Sequence, residues 1–445
     1  MCIWRSAWFA AEAAVPASVL RLSCPAFRRS SRYDGLRMTR IPILLSAGEA
    51  SGDMYAARLA AALRKRLDAE LFGMGGPHMR AAGVELVADY HEVSVVGITE
   101  IVSHLPSLVR AMRKLIGEAE RRKPALAILT DFPGFHLRLA RKLKPRGVRN
   151  VYFICPQFWA WRPWRANLIR RRFAEALCIF PFEEDFFRGR GVNAKFIGHP
   201  LAGEVCPALT RAQFAEKHGL DPRLPVVALL PGSRWGEISR HLPVMLEAAR
   251  LHAREAQRTP QIVIAVAPGL NLARLRTLIP PGLRSPSRSG LDSCPSSGDD
   301  EPAPRPSGHT HPQAPVLVQG QTYDALGAAD VSVVCSGTAT VEAALLDAPM
   351  IVVYRLTALT AALAKPLVRT TFFSMVNLIA GHRVVPELVQ DDFTPEKIAA
   401  ELGRLLDPAS AAEQRAGLAE VRRLLGPPGA IDRAADAIAT VLRTP

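Results

Sequence analysis

The stretch "LLSAGEASGD", residues 44–53, decides how the rest of the chain is read. A short apolar run stops at a small, polar loop punctuated by Gly48 and Gly52. An amphipathic segment follows at once, with Ala56, Leu59, Leu63 and Leu67 on one face. A strand, a tight turn and a helix in this order open a βα unit. Such turns commonly cradle phosphate, yet this one carries Glu49 and Asp53, two negative charges that repel an anion. The loop matches neither the P-loop pattern nor Gly-x-Gly-x-x-Gly. Its carboxylates and Ser51 suit hydroxyls and amides, hence a sugar or another polyol. The competing role for Ser51 and Asp53 is to cap the helix near Met54.

The same grammar recurs along the chain. Strand-like runs in the first half are "IPILLSAG", "ELFGMGG", "VSVVGITE", "PALAILTDFPG", "RNVYFICPQ", "ALCIFPFE" and "AKFIGHP". The second half adds "PVVALLPGS", "QIVIAVAPG", "PVLVQG", "DVSVVCSG" and "PMIVVYR". Most are apolar on both faces, as buried parallel strands are. Two successive sets predict an α/β chain of two Rossmann-like domains, 41–205 and 206–385, followed by a helical segment over 386–445. Ligands of open parallel sheets sit beyond the carboxyl ends of the strands, so the domains are expected to face each other across a cleft.

Bulk properties bound the partners. The 445 residues carry a net charge of +15, which calls for an anionic partner: nucleic acid, a membrane surface or a phosphorylated substrate. Seven widely spaced cysteines without Cys-x-x-Cys argue against a disulfide framework or a zinc site. No uncharged run reaches the ~18 residues of a membrane span. Residues 1–40 are arginine-rich and aperiodic, and are expected to be a targeting or non-structural extension. Residues 280–315, dense in Pro, Ser and Gly, are expected to form a disordered insertion, with His309, His311 and Cys294 poorly spaced as metal ligands.

Four loops carry the chemistry. In "LLPGSRWGE", Gly232 and Ser233 end a buried strand and Arg234 follows, a turn suited to a diphosphate. In "CSGTATVE", Ser336, Gly337 and Thr338 cap a helix, and Glu342 one turn inside suits a ribose diol. In "LTDFPGFH", a strand runs into Asp131, placed to act as a general base, with His136 as a second candidate. In "CPQFWAWRPWRANLIRRRF", Phe158, Trp159, Trp161 and Trp164 alternate with Arg162 and Arg165 before Arg170, Arg171 and Arg172. This pattern suits a lipid interface or stacked bases, against plain interdomain packing. No nucleic-acid fingerprint occurs, so nucleic acid is not an expected partner.

Together these motifs resemble lipid-A-disaccharide synthases, a bacterial glycosyltransferase family. The resemblance rests on "GEASGD", "GMGGPHM", "VVGITE", "DFPGF", "CPQFWAWR", "FPFE", "IGHPL", "LLPGSR", "SGTATVE" and "NLIAG", in that order. It implies a glycosyltransferase fold of the B type and an inverting transfer of 2,3-diacylglucosamine from UDP to 2,3-diacylglucosamine 1-phosphate. The product would be a β-1,6 disaccharide 1-phosphate plus UDP, made without metal or cofactor at the cytoplasmic face of the inner membrane. The resemblance places Asp131 on the catalytic aspartate, and Gly232, Ser233, Arg234, Ser336, Gly337, Thr338, Glu342 and Asn377 on the UDP side. The acceptor side would take Gly48, Glu49, Ser51, Gly52, Asp53, Gly97 and Glu100. Trp161, Trp164, Arg170, Arg171 and Arg172 are expected to meet an anionic membrane, as is the stretch 356–373. Many members have asparagine at the position of His136 and proline at that of Val376. Homo-oligomer formation stays open. The rival expectations are another UDP-sugar enzyme, such as an N-acetylglucosaminyltransferase or an epimerase, and a non-catalytic nucleotide-sugar sensor.

Overall fold

The computed structural model describes residues 40–93, 100–255, 259–283, 314–357 and 371–444. The extension, most of the insertion, residues 94–99 and residues 358–370 lie outside the described residues.

Two compact units form. The first holds the described residues up to Pro200 and the returning segment from Gly429. Its strands are β1 (Ile41–Ala47), β2 (Ala69–Gly75), β3 (Glu85–Asp89), β4 (Leu126–Thr130), β5 (Arg149–Phe153), β6 (Glu175–Cys178) and β7 (Ala194–Phe196). They make one parallel sheet in the order β3-β2-β1-β4-β5-β6-β7. Helices α1 (Ala50–Arg64), α2 (Pro77–Ala81), α3 (Glu100–Arg122), α4 (Pro133–Leu143), α5 (Phe158–Trp161), α6 (Ala166–Arg172) and α7 (Pro181–Arg188) connect them. Leu44, Phe72, Leu129, Phe135 and Leu139 form part of the core on one side.

The second unit, Leu201–Pro428, repeats the plan. Its strands are β8 (Val226–Leu230), β9 (Gln261–Val266), β10 (Val316–Gln319), β11 (Val331–Cys335), β12 (Met350–Tyr354) and β13 (Glu387–Val389). They pair in parallel in the order β10-β9-β8-β11-β12-β13. Its helices are α8 (Arg211–His218), α9 (Trp235–Glu255), α10 (Leu272–Arg276), α11 (Thr322–Ala328), α12 (Thr338–Leu345), α13 (Met375–Ala380), α14 (Pro395–Leu406) and α15 (Pro408–Leu424).

Two features differ from the sequence reading. The short strands β3 and β13 were not anticipated, because "ELVAD" and "ELV" lack the long apolar run that marks the others. The expected helical segment over 386–445 is divided: α14 and α15 belong to the second unit, whereas the last helix, α16 (Ala430–Arg443), packs on the first. There Arg66 binds Asp432 and Asp436 at 3.0 and 2.6 Å, and Arg433 donates to the Ile197 carbonyl at 2.7 Å. The alanine-rich face of α16 (Ala430, Ala434, Ala435, Ala437) is buried, which permits close approach to α1. A sequence period identifies an apolar face, not the unit that covers it.

Candidate active site

In each sheet the strand order reverses direction between two central neighbours, β1 and β4 in the first unit and β8 and β11 in the second. Such a switch point leaves a crevice at the carboxyl ends, where ligands of open α/β sheets bind. The loops after β1 and β4, which carry "GEASGD" and "DFPGFH", occupy the first position, and the "PGSR" and "SGT" turns after β8 and β11 occupy the second, whereas the basic aromatic segment follows β5.

In the first unit Ala47 pairs with Thr130, so the loop after β1 and the loop after β4 start side by side. Gly48 is a glycine for a steric reason. A Cβ there would lie 2.3 Å from the Phe132 ring. Asp131 and Phe132 both adopt left-handed backbone, with φ of 52° and 43°. Two consecutive non-glycine residues in this region cost of order 1–3 kcal/mol each, and such strain clusters at functional sites. Ile154, just past the carboxyl end of neighbouring β5, is left-handed as well, at φ 62°. The strain at Asp131 is held by hydrogen bonds to its own carbonyl. His136 Nδ1 and the Tyr152 hydroxyl each donate to it at 2.8 Å. His136 is fully buried, and its Nε2 lies 2.9 Å from Ser46 Oγ. The second candidate base, His136, is thus a buried imidazole engaged at both nitrogens, whereas Asp131 is only half-buried.

The acceptor-side residues separate. Glu49 is the half-buried N-cap of α1 and Ser51 is exposed on its first turn. Gly52 is buried near Ala47 and Thr130. Asp53 is a correction. Its side chain is fully buried and accepts from the backbone N–H of Gly76, His78 and Met79 at 2.7, 2.9 and 3.2 Å. It caps α2 across the sheet edge, a third role that neither a sugar contact nor a cap of its own helix anticipated. Gly97 lies outside the described residues, and of Glu100 only the backbone at the start of α3 is described.

The second switch point gathers a glycine turn, an arginine and a helix start. Leu230 pairs with Val334, which brings the "PGSR" turn beside the "SGT" turn. Gly232 has φ 128°, a conformation open to glycine, and a Cβ there would meet Glu237 at 2.7 Å. Arg234 is half-exposed at the start of α9, and its guanidinium lies 3.6 Å from Glu237, which also accepts from the Ser233 N–H at 3.2 Å. Glu237 was missed in the sequence. An acidic residue in the first turn of a helix, three residues after an arginine, was the available signal. His241, fully buried, ties this turn down: Nδ1–H donates to the Pro231 carbonyl at 2.9 Å and Nε2 accepts from the Arg355 N–H at 3.1 Å. Burial holds its pKa below the usual histidine range.

Gly337 caps α12, with open space where its Cβ would be, and Thr338 is exposed at the first helical position. The first N–H groups of a helix lack intrahelical partners and suit an anion. Ser336 donates its hydroxyl to the Phe373 carbonyl at 3.0 Å. Glu342 lies one turn inside, its pKa raised by burial against an opposing contact from the Tyr323 hydroxyl at 3.5 Å. Burial, then the Glu237 charge, pushes the Cys335 thiol up to about 12, so it is an inert neighbour. Asn377 is a further correction. It is fully buried, donates to the Val385 carbonyl and Glu387 at 3.0 and 2.8 Å, and accepts from the Val384 and Val385 N–H groups at 2.7 and 3.0 Å. It braces the loop before β13 rather than presenting its amide to a nucleotide. With Val376 where proline was expected, the turn still closes as a helix, capped by Ser374.

The family model described as lipid-A-disaccharide synthetase matches residues 43–275 and 309–438. The chain belongs to that family. The lipid-A-disaccharide synthase of Myxococcus xanthus is 43% identical over 408 residues, covering 91% of this chain and 99% of the relative. That of Solibacter usitatus is 44% identical over 403 residues, covering 90% and 97%. Among solved structures, the calicheamicin glycosyltransferase CalG4 aligns at a TM-score of 0.52 and 17% identity, covering 91% of this chain and 99% of that one. UDP-GlcNAc 2-epimerase from Neisseria meningitidis aligns at 0.54 and 11%, covering 90% and 99%. At these identities the structures speak for the two-domain α/β fold alone. Membership in the lipid-A-disaccharide synthase family makes the chain an enzyme, a glycosyltransferase of lipid A biosynthesis, and sets aside the epimerase and sensor readings.

The basic aromatic segment is a mixture. Phe158 and Arg165 are buried, Trp159 donates to Glu183 at 3.1 Å, and Trp161 is half-buried under the Arg162 guanidinium at 4.4 Å. Arg172, expected at the membrane, instead donates to the Leu137 carbonyl at 2.9 Å. Trp164, at 57% exposure, and Arg170 and Arg171 face solvent. Among the described residues no helix is long and apolar enough to cross a membrane.

Proposed function

We propose that the chain joins UDP-2,3-diacylglucosamine to the 6-hydroxyl of 2,3-diacylglucosamine 1-phosphate, with inversion at the anomeric carbon. The observation that carries the assignment of roles is the strained turn holding Asp131 at the switch point of the first sheet. The Asp131 carboxylate accepts the proton of the acceptor hydroxyl as its oxygen attacks the anomeric carbon. The bond from that carbon to the diphosphate breaks, and UDP leaves with the electron pair. Arg234, the Ser233 N–H and the amino end of α12 are the groups suited to take up the developing charge. Glu342 is suited to a ribose diol, and Glu49 and Ser51 to the acceptor sugar. A labelled-donor assay with purified protein and acylated glucosamine 1-phosphate tests the reading. The expected result is a labelled disaccharide with equimolar UDP. Hydrolysis or epimerisation of the donor without disaccharide would overturn it.

The acylated substrates motivate a peripheral membrane site, for which Trp164, Arg170 and Arg171 are the candidates. Each basic residue near an anionic surface contributes about 1 kcal/mol. Co-sedimentation with anionic vesicles is expected to fall for Arg170→Glu with Arg171→Glu and to weaken with salt. Unchanged sedimentation of the double variant at low salt would transfer the role to residues 356–373, most of which lie outside the described residues.

A further inference from the structure

The geometry points to His136 and Tyr152 as positioning residues for the Asp131 carboxylate, acting through the Asp131 backbone carbonyl. The inference deepens, and rests on, the reading of Asp131 as the general base. Asp131 and Phe132 stand at φ 52° and 43°, a conformation that persists only where the surroundings over-determine it. The surroundings here converge on one atom. His136 Nδ1 and the Tyr152 hydroxyl both lie 2.8 Å from the Asp131 carbonyl oxygen, one donor for each lone pair. A carbonyl only accepts, so Nδ1 carries a hydrogen. Ser46 Oγ, 2.9 Å from Nε2, clamps the far side of the ring. The Phe132 and Phe135 rings meet the imidazole edge-on, at centroid distances of 6.0 and 5.7 Å.

The anchors sit on the rigid parts of the unit. Ser46 is on β1 and Tyr152 on β5, the two strands that flank β4, and His136 is on α4. The peptide plane after Asp131 is therefore held from both neighbouring strands and from the following helix. Releasing that plane lets the Asp131 backbone relax toward ordinary φ, which swings its side chain relative to the loop of Gly48 and Glu49. A displacement of about 1 Å at a reacting group is enough to cost 10²-fold in rate. His136 and Tyr152 act at a distance from the substrate and take no proton from it. Their contribution belongs to kcat, not to binding.

The experiment uses the full chain and four variants, with kcat, KM for the donor and UDP affinity read for each. His136→Leu removes the donor and is expected to lower kcat about 10–100-fold while donor KM and UDP affinity stay at wild-type values. His136→Asn, whose amide N–H falls near the place of Nδ1–H, is expected to recover kcat to within about threefold of wild type. Tyr152→Phe keeps the ring and loses one of two donors, and is expected to lower kcat about 3–10-fold. Wild-type kcat in His136→Leu or Tyr152→Phe overturns the inference, as does an Asn variant as slow as the Leu variant. Should His136→Leu fail to fold, Tyr152→Phe decides alone. Asp131→Asn, measured alongside, separates the two readings. Normal turnover there removes the base itself. Slow turnover there with normal turnover in the other variants removes only the positioning role.

Discussion

The two units share one topology and use it in opposite senses. At the first switch point the chain places a carboxylate on a strained turn beside a loop with a second carboxylate, Glu49, and no cation among the loop's residues 48–53. At the second it places Arg234, a glycine turn and two helix starts. The sheets are equivalent as scaffolds, and the chemistry lies in what is set at the ends of four strands. The difference teaches that a glycine turn after the first strand of such a sheet is compatible with either sign of charge: the two turns differ in the charge beside them, not in their glycines.

The contrast breaks most easily at Asp131. Asp131→Asn is expected to cut kcat about 10²–10⁴-fold and leave UDP affinity unchanged, because an amide takes no proton. Steady-state kinetics with calorimetry of UDP binding check it, and equal loss in both quantities would assign Asp131 to nucleotide binding instead of proton transfer.

Buried titratable groups sharpen the comparison along the pH axis. In the first unit Glu183 is fully buried, and burial, opposed by hydrogen bonds from Trp159 and the Phe180 N–H, raises its pKa to about 7. Its folded-state pKa exceeds the ordinary value of 4.5, so the stabilising protonated form is complete below pH 4.5 and is lost as pH rises through 7. His199 runs the other way. Burial lowers it to about 4, so its contribution is complete above pH 6.5 and is lost as pH falls through 4. The second unit has His241, also lowered by burial, and it loses stability on the acid side. Glu183→Gln is expected to stabilise the first unit at pH 8 by up to about 3 kcal/mol, at about 1.4 kcal/mol per tenfold change in proton affinity. The gain should vanish near pH 4.5. Hydrogen exchange followed separately in each unit reads it, and a gain independent of pH would show that Glu183 does not titrate with folding.

Arg234→Ala addresses the cationic side. It is expected to weaken UDP binding by about 1.5–3 kcal/mol, the range of a charge-assisted hydrogen bond. Calorimetry checks this, and wild-type affinity would move the diphosphate away from the "PGSR" turn. The smallest effect is assigned to Asp53. Asp53→Asn weakens a cap of three N–H groups and is expected to cost about 1–2 kcal/mol of stability with acceptor KM unchanged. A raised acceptor KM at unchanged melting temperature would return Asp53 to the acceptor side.

The sequence by itself determined the α/β class, the two-fold repetition of the plan and which loops stand at the carboxyl ends of the central strands. These follow from apolar runs, glycine turns and the residues just beyond them, all of them local. Asp131 and Arg234 were legible for that reason: each is the polar residue where a buried strand ends. Only the tertiary structure decided which polar residues remain available to a ligand. Asp53 and Asn377 read like their neighbours in the sequence, yet both are consumed by backbone groups that lie far away or on another element. His136 reads like a base, yet both its nitrogens are engaged, by Ser46 on β1 and by the Asp131 carbonyl just past β4. Glu237 and Tyr152 drew no attention, since their partners are set by helix start and strand order. The last helix joined the first unit through Arg66 and Arg433. Hydrogen-bond satisfaction of buried polar groups is a property of the assembled fold, and a one-dimensional pattern carries no record of it.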